Sequence, residues 1–288
     1  MLKKRIIAVL VVRDGILVQS IGFRRYLPVG KPDIAVEFLN QWGIDEIILL
    51  DISATPNARA PELAMVKSVA KSCLVPLTVG GGISTLEQIH NLMHCGADKV
   101  SFNFAALNQS KLLTEAARIF GSQCVVASID AIAKNSTHQV YNYISGKTLG
   151  IKPWEHAKQI EEAGVGEIFI NSVDRDGMKC GYDLELISKV KEAVSIPVIA
   201  CGGAGKPSHL LEVLEHTGVE AVAAGNFFHF FEHSVTITKA LTSLKQQVRH
   251  ETFSKYLDNT LDDSGRLLKK DDDILENLLY NVIEKETI

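Results

Sequence analysis

An internal repeat of about 120 residues constrains the fold of this chain more than any other feature. Three pairs of similar segments recur at this spacing and in the same order, which indicates two related halves. Each segment combines a short apolar run with glycine, as expected of strands next to tight turns. The pairs are GIDEIILLDI from Gly43 and GVGEIFINSV from Gly164, VGGGI around Gly81 and CGGAG around Gly203, and GADKVSFN from Gly96 and GVEAVAAGN from Gly218.

Eight short apolar runs alternate with longer amphipathic stretches along the first 247 residues. Continuous apolar runs are typical of parallel strands that are covered on both faces. Eight βα units, four in each half, predict a (β/α)8 barrel, and a doubly wound parallel sheet is the alternative. The predicted strands span 5–12, 46–52, 75–79, 98–102, 124–130, 166–172, 196–200 and 219–223.

The composition is that of an ordinary globular protein, with 46% hydrophobic and 22% charged residues among 288. The net charge of −4 gives no reason to expect nucleic acid binding. No apolar run approaches the ~20 residues that cross a bilayer. Five cysteines without a CxxC pair favour reduced core or near-core thiols in a cytoplasmic protein.

The chain divides into a predicted barrel at residues 1–247 and a charged extension at residues 248–288. An apolar stripe at 271–285 predicts a helix in the extension. This helix either packs on the barrel or binds a partner protein.

Glycine-rich turns follow the third and seventh predicted strands, and small residues follow the fourth and eighth. Glycine lets backbone amides approach an anion, and a following helix directs its positive end towards it. One phosphate cradle is therefore expected in each half, which suits a substrate with a phosphate at each end. Simple tight turns are the alternative. The turns are Gly80–Gly82 and Ser101–Asn103 in the first half, and Gly202–Gly205 and Ala223–Asn226 in the second.

Four aspartates follow predicted strands, at the barrel mouth where active sites of this fold lie. The segment VVASIDA leads to Asp130, and the repeat aligns this position with Val11 in the first half. A partly buried carboxylate can act as a general acid or base. Asp130 is therefore the main catalytic candidate, with a structural role in its loop as the alternative. The other aspartates are Asp51, Asp174 and Asp176.

Charged residues stand at the starts of four predicted strands, at the opposite end of the barrel. Two cations and two anions there can form a closed ring of ion pairs. Such a ring either stabilises the barrel bottom or gates a central pore. The four residues are Arg5, Glu46, Lys99 and Glu167.

The sequence shows no convincing metal or cofactor site. His90 and His94 share one predicted helix, and His229 and His233 lie near another. Neither pair forms HExxH, and neither has an evident carboxylate as a third ligand. We therefore expect neither a metal nor a cofactor.

Eight segments within residues 1–247 together carry a family resemblance. They are MLKKRIIAVL, GIDEIILLDI, VPLTVGGGI, GADKVSFN, GSQCVVASIDA, NSVDRDG, GYD and IACGGAGK. They resemble HisF, the cyclase subunit of imidazole glycerol phosphate synthase. The resemblance implies a barrel of two half-barrels with a glutaminase, HisH, docked on its bottom. Ammonia would pass through the barrel to a bis-phosphorylated ribulosyl substrate, where two aspartates assist closure of an imidazole ring.

The resemblance also implies roles for individual residues at both ends of the barrel. Each of these residues is present here. They are the gate of Arg5, Glu46, Lys99 and Glu167, Asp98 on the glutaminase face, the first phosphate cradle of Gly82 and Asn103, the second cradle of Asp176, Gly177, Gly203 and Ala224, and the catalytic Asp130.

Four positions at the top of the barrel depart from the family pattern. Val11 stands where the family has its other catalytic aspartate, and valine cannot transfer a proton. Gln19 replaces a lysine, and Phe104 and Gly225 replace a threonine and a serine of the two cradles. Each cradle therefore loses a hydroxyl that could bond a phosphate. The loop at 20–32 is unusually basic and aromatic.

The intact bottom and altered top favour a HisF paralogue. It would form a heterodimer with a HisH-like glutaminase and pass ammonia to a different acceptor. The resemblance extends to paralogues that take part in acetamidino modification of surface-polysaccharide sugars. In these the barrel resembles a conduit for ammonia and works with a glutaminase and an ATP-dependent sugar amidotransferase. Two alternatives remain open. One is a genuine HisF subunit in which Asp130 works alone or with Asp51 or Asp176, and the other is a non-catalytic scaffold or activator of a glutaminase.

Overall fold

The computed structural model of the protein describes most of the chain. Ten α-helices and twelve strands lie in this described part, with short 3-10 turns at Ser122–Cys124 and Val173–Arg175. Most of the predicted helix at 271–285 falls outside it, so that helix and the domain division at 247 stay predictions. The described residues are 3–230, 233–243, 245–249, 260, 262 and 268–273.

Eight of the twelve strands close a parallel barrel. In order around the ring these are β1, β4, β5, β6, β7, β10, β11 and β12, and β12 pairs with β1 to complete it. A doubly wound sheet has two free edges, so closure excludes it and confirms the (β/α)8 prediction. The strands are β1 (Arg5–Arg13), β2 (Ile16–Ile21), β3 (Arg25–Gly30), β4 (Glu46–Asp51), β5 (Leu77–Gly80), β6 (Lys99–Phe102), β7 (Val125–Lys134), β8 (Thr137–Asn142), β9 (Lys147–Thr148), β10 (Glu167–Ser172), β11 (Val198–Cys201) and β12 (Ala221–Ala224).

The helices lie between the barrel strands and begin with recognisable sequence signals. Pro32, Pro153 and Pro207 occupy the start of three helices, where a missing N–H costs nothing. Thr85 and Gln88 form a capping box at a fourth. None of the described helices is long and apolar enough to cross a bilayer. The helices are α1 (Pro32–Gln41), α2 (Leu63–Ser72), α3 (Leu86–His94), α4 (Phe104–Asn108), α5 (Ser110–Phe120), α6 (Pro153–Glu162), α7 (Leu184–Ala193), α8 (Pro207–His216), α9 (Asn226–Phe230) and α10 (Ser234–Ser243).

Two hairpins rise from the barrel, and the first of them includes the predicted loop at 20–32. Strands β2 and β3 extend β1, and β8 and β9 extend β7, each pair antiparallel to its neighbour. The turns are Asp14-Gly15 and Asn135-Ser136, and all four residues have positive φ angles of 50 to 77°. Two such residues fit the turn that matches the twist of a hairpin. The prediction of a loop at 20–32 was therefore wrong, since this region contains paired strands.

A buried ion pair joins the middle of α10 to the bottom of the barrel. Lys239 Nζ lies 2.5 Å from Asp45 Oδ1, and both side chains are fully buried. The other oxygen of Asp45 accepts a hydrogen bond from Ile6 N at 2.7 Å. Beyond the helix, Lys4 N donates to Gln247 O at 2.7 Å. Helix α10 and the segment after it are therefore fixed to the barrel next to the starts of β1 and β4.

Candidate functional site

Four charged side chains form a closed ring at the bottom of the barrel. Arg5 binds Glu46 at 2.9 Å and Glu167 at 2.5 Å. Lys99 binds the same two carboxylates, at 3.3 Å and 2.9 Å. Each residue is the first of its strand: Arg5 begins β1, Glu46 begins β4, Lys99 begins β6 and Glu167 begins β10. This charged ring therefore lies across the entrance that the ends of the strands surround.

Pairing within the charged ring favours the ionised form of Glu46. Arg5, Glu46 and Glu167 are buried, and Lys99 is partly buried. Burial opposes ionisation of Glu46, but the charges of Arg5 and Lys99 outweigh it, so the Glu46 pKa lies below its ordinary value. Asp98, beside the ring, is exposed and accepts a hydrogen bond from Leu77 N at 2.8 Å. The Asp98 carboxylate therefore lies on the outer surface of the barrel bottom.

A cavity of about 570 Å³ occupies the opposite end, at the mouth of the barrel. Val11 and Asp130 both line it, as do residues of the β2–β3 hairpin. Apolar side chains fill the barrel below. They are Ile7, Val9, Ile48, Val126, Phe169, Ile199, Cys201, Ala221 and Ala223.

Asp130 is the carboxylate whose chemistry is most altered by the fold. Burial raises its pKa from 3.8 to about 7, against the effect of a hydrogen bond from Asn103 Nδ2 at 2.8 Å. The charge of Asp176 raises the pKa further, and a hydrogen bond from Asn171 opposes it. A pKa near neutrality suits a group that both takes and gives a proton.

The other three aspartates of the mouth are engaged in contacts within the protein. Asp51 is buried and pairs with Arg59 at 2.6 Å. Asp174 accepts a hydrogen bond from Ala133 N at 2.6 Å. Asp176 accepts hydrogen bonds from Ser20 Oγ at 2.6 Å and from the backbone of the same hairpin. Asp176 therefore fixes the β2–β3 hairpin over the mouth, and Asp51 is held in its ion pair with Arg59.

Val11 presents an apolar side chain to the cavity. It is half-buried, packs with Leu50 inside the barrel and pairs in register with Val18 of β2. Tyr26 also reaches this cavity, with Arg13 stacked 5.1 Å from the centre of its ring. Burial, followed by the charge of Asp176, raises the pKa of Tyr26, so its phenol stays protonated at neutral pH.

The two expected phosphate cradles differ in their access to the cavity. The residues of the second, Asp176, Gly177, Gly203 and Ala224, all line it. In the first cradle Asn103 lines the cavity and Gly82 does not.

Three side chains at the mouth were not selected from the sequence. Asn171 lies beside Asp130 in register, is 8% exposed and lines the cavity. Within the described part of the chain, its Oδ1 has no hydrogen-bond partner. The hydroxyl of Tyr143 donates to Thr55 across the mouth at 2.7 Å. Asn171 ends an apolar run as Asp130 does, a signal that could have identified it, whereas nothing in the sequence links Tyr143 with Thr55.

The histidine and cysteine residues offer no competing centre in the described residues. His90 and His94 stack with ring centres 4.0 Å apart, and no group of three metal-ligating side chains is found there. The five cysteines are unpaired. Cys180 is exposed, so the prediction that every cysteine lies in or near the core was wrong for this one. It follows a surface turn, in GMKCG.

Comparisons with known proteins agree with the geometry. A family model described as "Histidine biosynthesis protein" matches residues 5–234. A Vibrio vulnificus (strain YJ016) protein, provisionally named imidazole glycerol phosphate synthase subunit hisF2, is 43% identical over 267 residues, which cover 92% of this chain and 98% of the relative. The HisF subunit of imidazole glycerol phosphate synthase from Clostridium botulinum (strain Langeland) is 41% identical over 88% of this chain and 99% of its own. The corresponding subunit from Bacillus cereus (strain G9842) is 42% identical over 86% of this chain and 100% of its own.

Proposed function

This chain belongs to the HisF family of imidazole glycerol phosphate synthase subunits, and from that premise we propose that it is the barrel subunit of a glutamine amidotransferase complex. A HisH-like glutaminase docks on the bottom of the barrel and releases ammonia from glutamine. The ammonia passes the charged ring and leaves at the mouth, where an acceptor takes it up. We propose further that this acceptor is not the substrate of ring closure in histidine biosynthesis.

The charged ring supports the first part of the proposal. The two cations and two anions of the ring balance one another's charge. The ring therefore needs no external counter-ion when it opens or closes around ammonia. The exposed carboxylate of Asp98 lies on the same end of the barrel and suits a polar contact with a docked glutaminase. Above the ring, the apolar interior favours neutral ammonia over ammonium, because burying an unpaired charge is costly.

The observation that carries the second part is the isolation of Asp130 at the mouth. Ring closure in the family uses two aspartates, and Val11 occupies the place of the other. Asp51 is paired with Arg59, and Asp176 is held by the β2–β3 hairpin. Loss of one general acid–base group typically costs ~10²–10⁴-fold in rate. The mouth is therefore poorly equipped for ring closure.

The same mouth retains what an ammonia exit needs. Ammonia donates hydrogen bonds, and Oδ1 of Asn171, which has no partner among the described residues, is an acceptor next to Asp130. With a pKa of about 7, Asp130 can accept the proton that is released when ammonia adds to an electrophilic carbon. Acetamidino modification of a surface-polysaccharide sugar fits this role. In it an ATP-dependent sugar amidotransferase activates an acetamido group that ammonia then converts.

Complementation tests the proposal against a genuine HisF activity. A HisF-deficient strain that carries this protein should not grow at the wild-type rate without histidine. Expression of the Clostridium botulinum HisF subunit provides the positive control. Growth of the strain at the wild-type rate with the unaltered chain would sink the proposal and favour histidine biosynthesis.

The remaining alternative is a scaffold that only activates a glutaminase. A labelling experiment distinguishes a conduit from a scaffold. The reconstituted complex is supplied with glutamine that carries ¹⁵N in its amide and with excess unlabelled ammonium. A conduit delivers mainly ¹⁵N to the acceptor, and Lys99→Ala should lower the labelled fraction. A scaffold stimulates glutaminase activity in the same way, but Lys99→Ala and Glu46→Ala leave the labelled fraction unchanged.

A further inference from the structure

Three residues from separate loops form a hydrogen-bonded chain along one side of the mouth. Tyr143, in the turn between β8 and β9, donates its hydroxyl to Thr55 Oγ1 at 2.7 Å. Gly82 N donates to the same oxygen at 3.0 Å. Two donors use both acceptor sites of the Thr55 hydroxyl. The amide that the first cradle would offer to a phosphate is therefore already bonded inside the protein.

The remaining features of the first cradle are also explained without a ligand. A Cβ atom on Gly82 would lie 1.8 Å from Arg59 O, at a φ of +63°. Backbone contact within the protein therefore requires this glycine. Asn103 Nδ2 is bonded to Asp130, and Phe104 carries no hydroxyl. Two donors of the first cradle, the Gly82 amide and the Asn103 side-chain amide, are therefore bonded inside the protein, and Phe104 supplies no hydroxyl.

The second cradle remains open to the cavity. Gly177, Gly203, Ala224 and Gly225 all line it. Gly225 has an ordinary φ, and the nearest atom to an added Cβ would be Val9 O at 3.2 Å. The backbone at this position thus tolerates a side chain better than at Gly82, and glycine here leaves extra room beside the cavity.

The charges around the cavity oppose a strongly anionic ligand. Among the described residues that line it, Arg13 is the one with a positive charge, and Asp14 lies 3.8 Å from it. Asp51, Asp130 and Asp176 also line the cavity. Each phosphate monoester carries about −1.5 to −2 charges at pH 7. A second phosphate would therefore add this charge next to carboxylates, and Arg59, the cation near the first cradle, is already paired with Asp51.

We infer that the chain of Gly82, Thr55 and Tyr143 closes the first cradle, and that the cavity admits an acceptor with a single phosphate, bound in the second cradle. This inference rests on the proposed function, because it takes the molecule in the cavity to be the ammonia acceptor. The number of phosphates that the barrel binds can be measured without the glutaminase and without the acceptor.

Equilibrium dialysis of the full chain against radiolabelled inorganic phosphate at low ionic strength tests the inference. One phosphate per chain is expected, whereas two or none would overturn it. Gly225→Asp introduces a negative charge beside the second cradle and should abolish binding. Phe104→Asp is the matched change beside the first cradle and should leave binding unaltered. Binding that survives Gly225→Asp and disappears in Phe104→Asp would contradict the assignment.

A pair of sugar phosphates tests the same point on the unaltered chain. Glucose 1-phosphate and glucose 1,6-bisphosphate should bind with dissociation constants within about threefold in calorimetry. A second working cradle would add charge-assisted hydrogen bonds, so a bisphosphate that binds more than about tenfold tighter would refute the inference. Both measurements omit the glutaminase. Growth of the HisF-deficient strain at the wild-type rate would thus refute the proposed function alone, whereas two phosphate sites would refute this inference alone.

Discussion

Neutralising one member of the charged ring should destabilise the barrel strongly. Glu167→Gln keeps the shape of the side chain but removes the anion that binds Arg5 at 2.5 Å and Lys99 at 2.9 Å. The Arg5 and Glu167 side chains are only 10% and 7% exposed, so water cannot replace the lost partner easily. Removal of one partner of a buried ion pair costs about 3–5 kcal/mol. We expect a loss of about 3 kcal/mol in the free energy of unfolding, because Glu46 still binds both cations.

Urea denaturation at pH 7, followed by circular dichroism, measures this loss. Glu185→Gln is the matched control, because it removes the carboxylate of an exposed ion pair with Lys189 at 2.6 Å. That change should have no measurable effect, since exposed ion pairs contribute little. A cost of less than about 1 kcal/mol for Glu167→Gln would show that the charged ring behaves like surface ion pairs and would refute the reasoning.

Three other consequences can be checked on the purified chain. Because the folded pKa of Asp130 is about 7 and its ordinary value is 3.8, the folded state binds the extra proton between these values. Stability should fall as pH rises from 4 to 7, by at most about 1.4 kcal/mol per unit, and urea titrations should show a weaker dependence in Asp130→Asn. Lys239→Met strands the buried carboxylate of Asp45 and should cost about 3–5 kcal/mol in urea denaturation; a shift below about 1 kcal/mol would contradict the pairing. Ellman's reagent should modify exposed Cys180 in the native chain and reach buried Cys201, whose thiol pKa is raised by burial, only after unfolding.

The barrel and the position of the charged ring could be predicted because both depend on simple periodicity. The repeat from Gly43 to Gly164 indicates equivalent halves, and the closed strand order follows from eight similar units. Arg5 and Lys99 begin barrel strands, so parallel topology alone brings them to one end. The position of Asp130 at the mouth follows in the same way.

The details of the mouth could not be predicted, because they depend on contacts between loops. Thr55 and Tyr143 are 88 residues apart and meet only after the β8–β9 turn has folded across the barrel. The hydrogen bond from Ser20 to Asp176 joins residues 156 apart. The first hairpin turn did have a local signal in Asp14-Gly15, but the family resemblance implied a loop at 20–32.

Direct assay of ring closure tests the central claim, that the mouth of this barrel no longer supports the chemistry of its family. The purified chain is mixed with the bis-phosphorylated ribulosyl substrate and ammonium chloride, without glutaminase, and the imidazole product is measured beside the Clostridium botulinum HisF subunit. The account predicts a rate at least ~10²-fold below that of the relative, as expected when one of two acid–base groups is missing. Equal rates would contradict it.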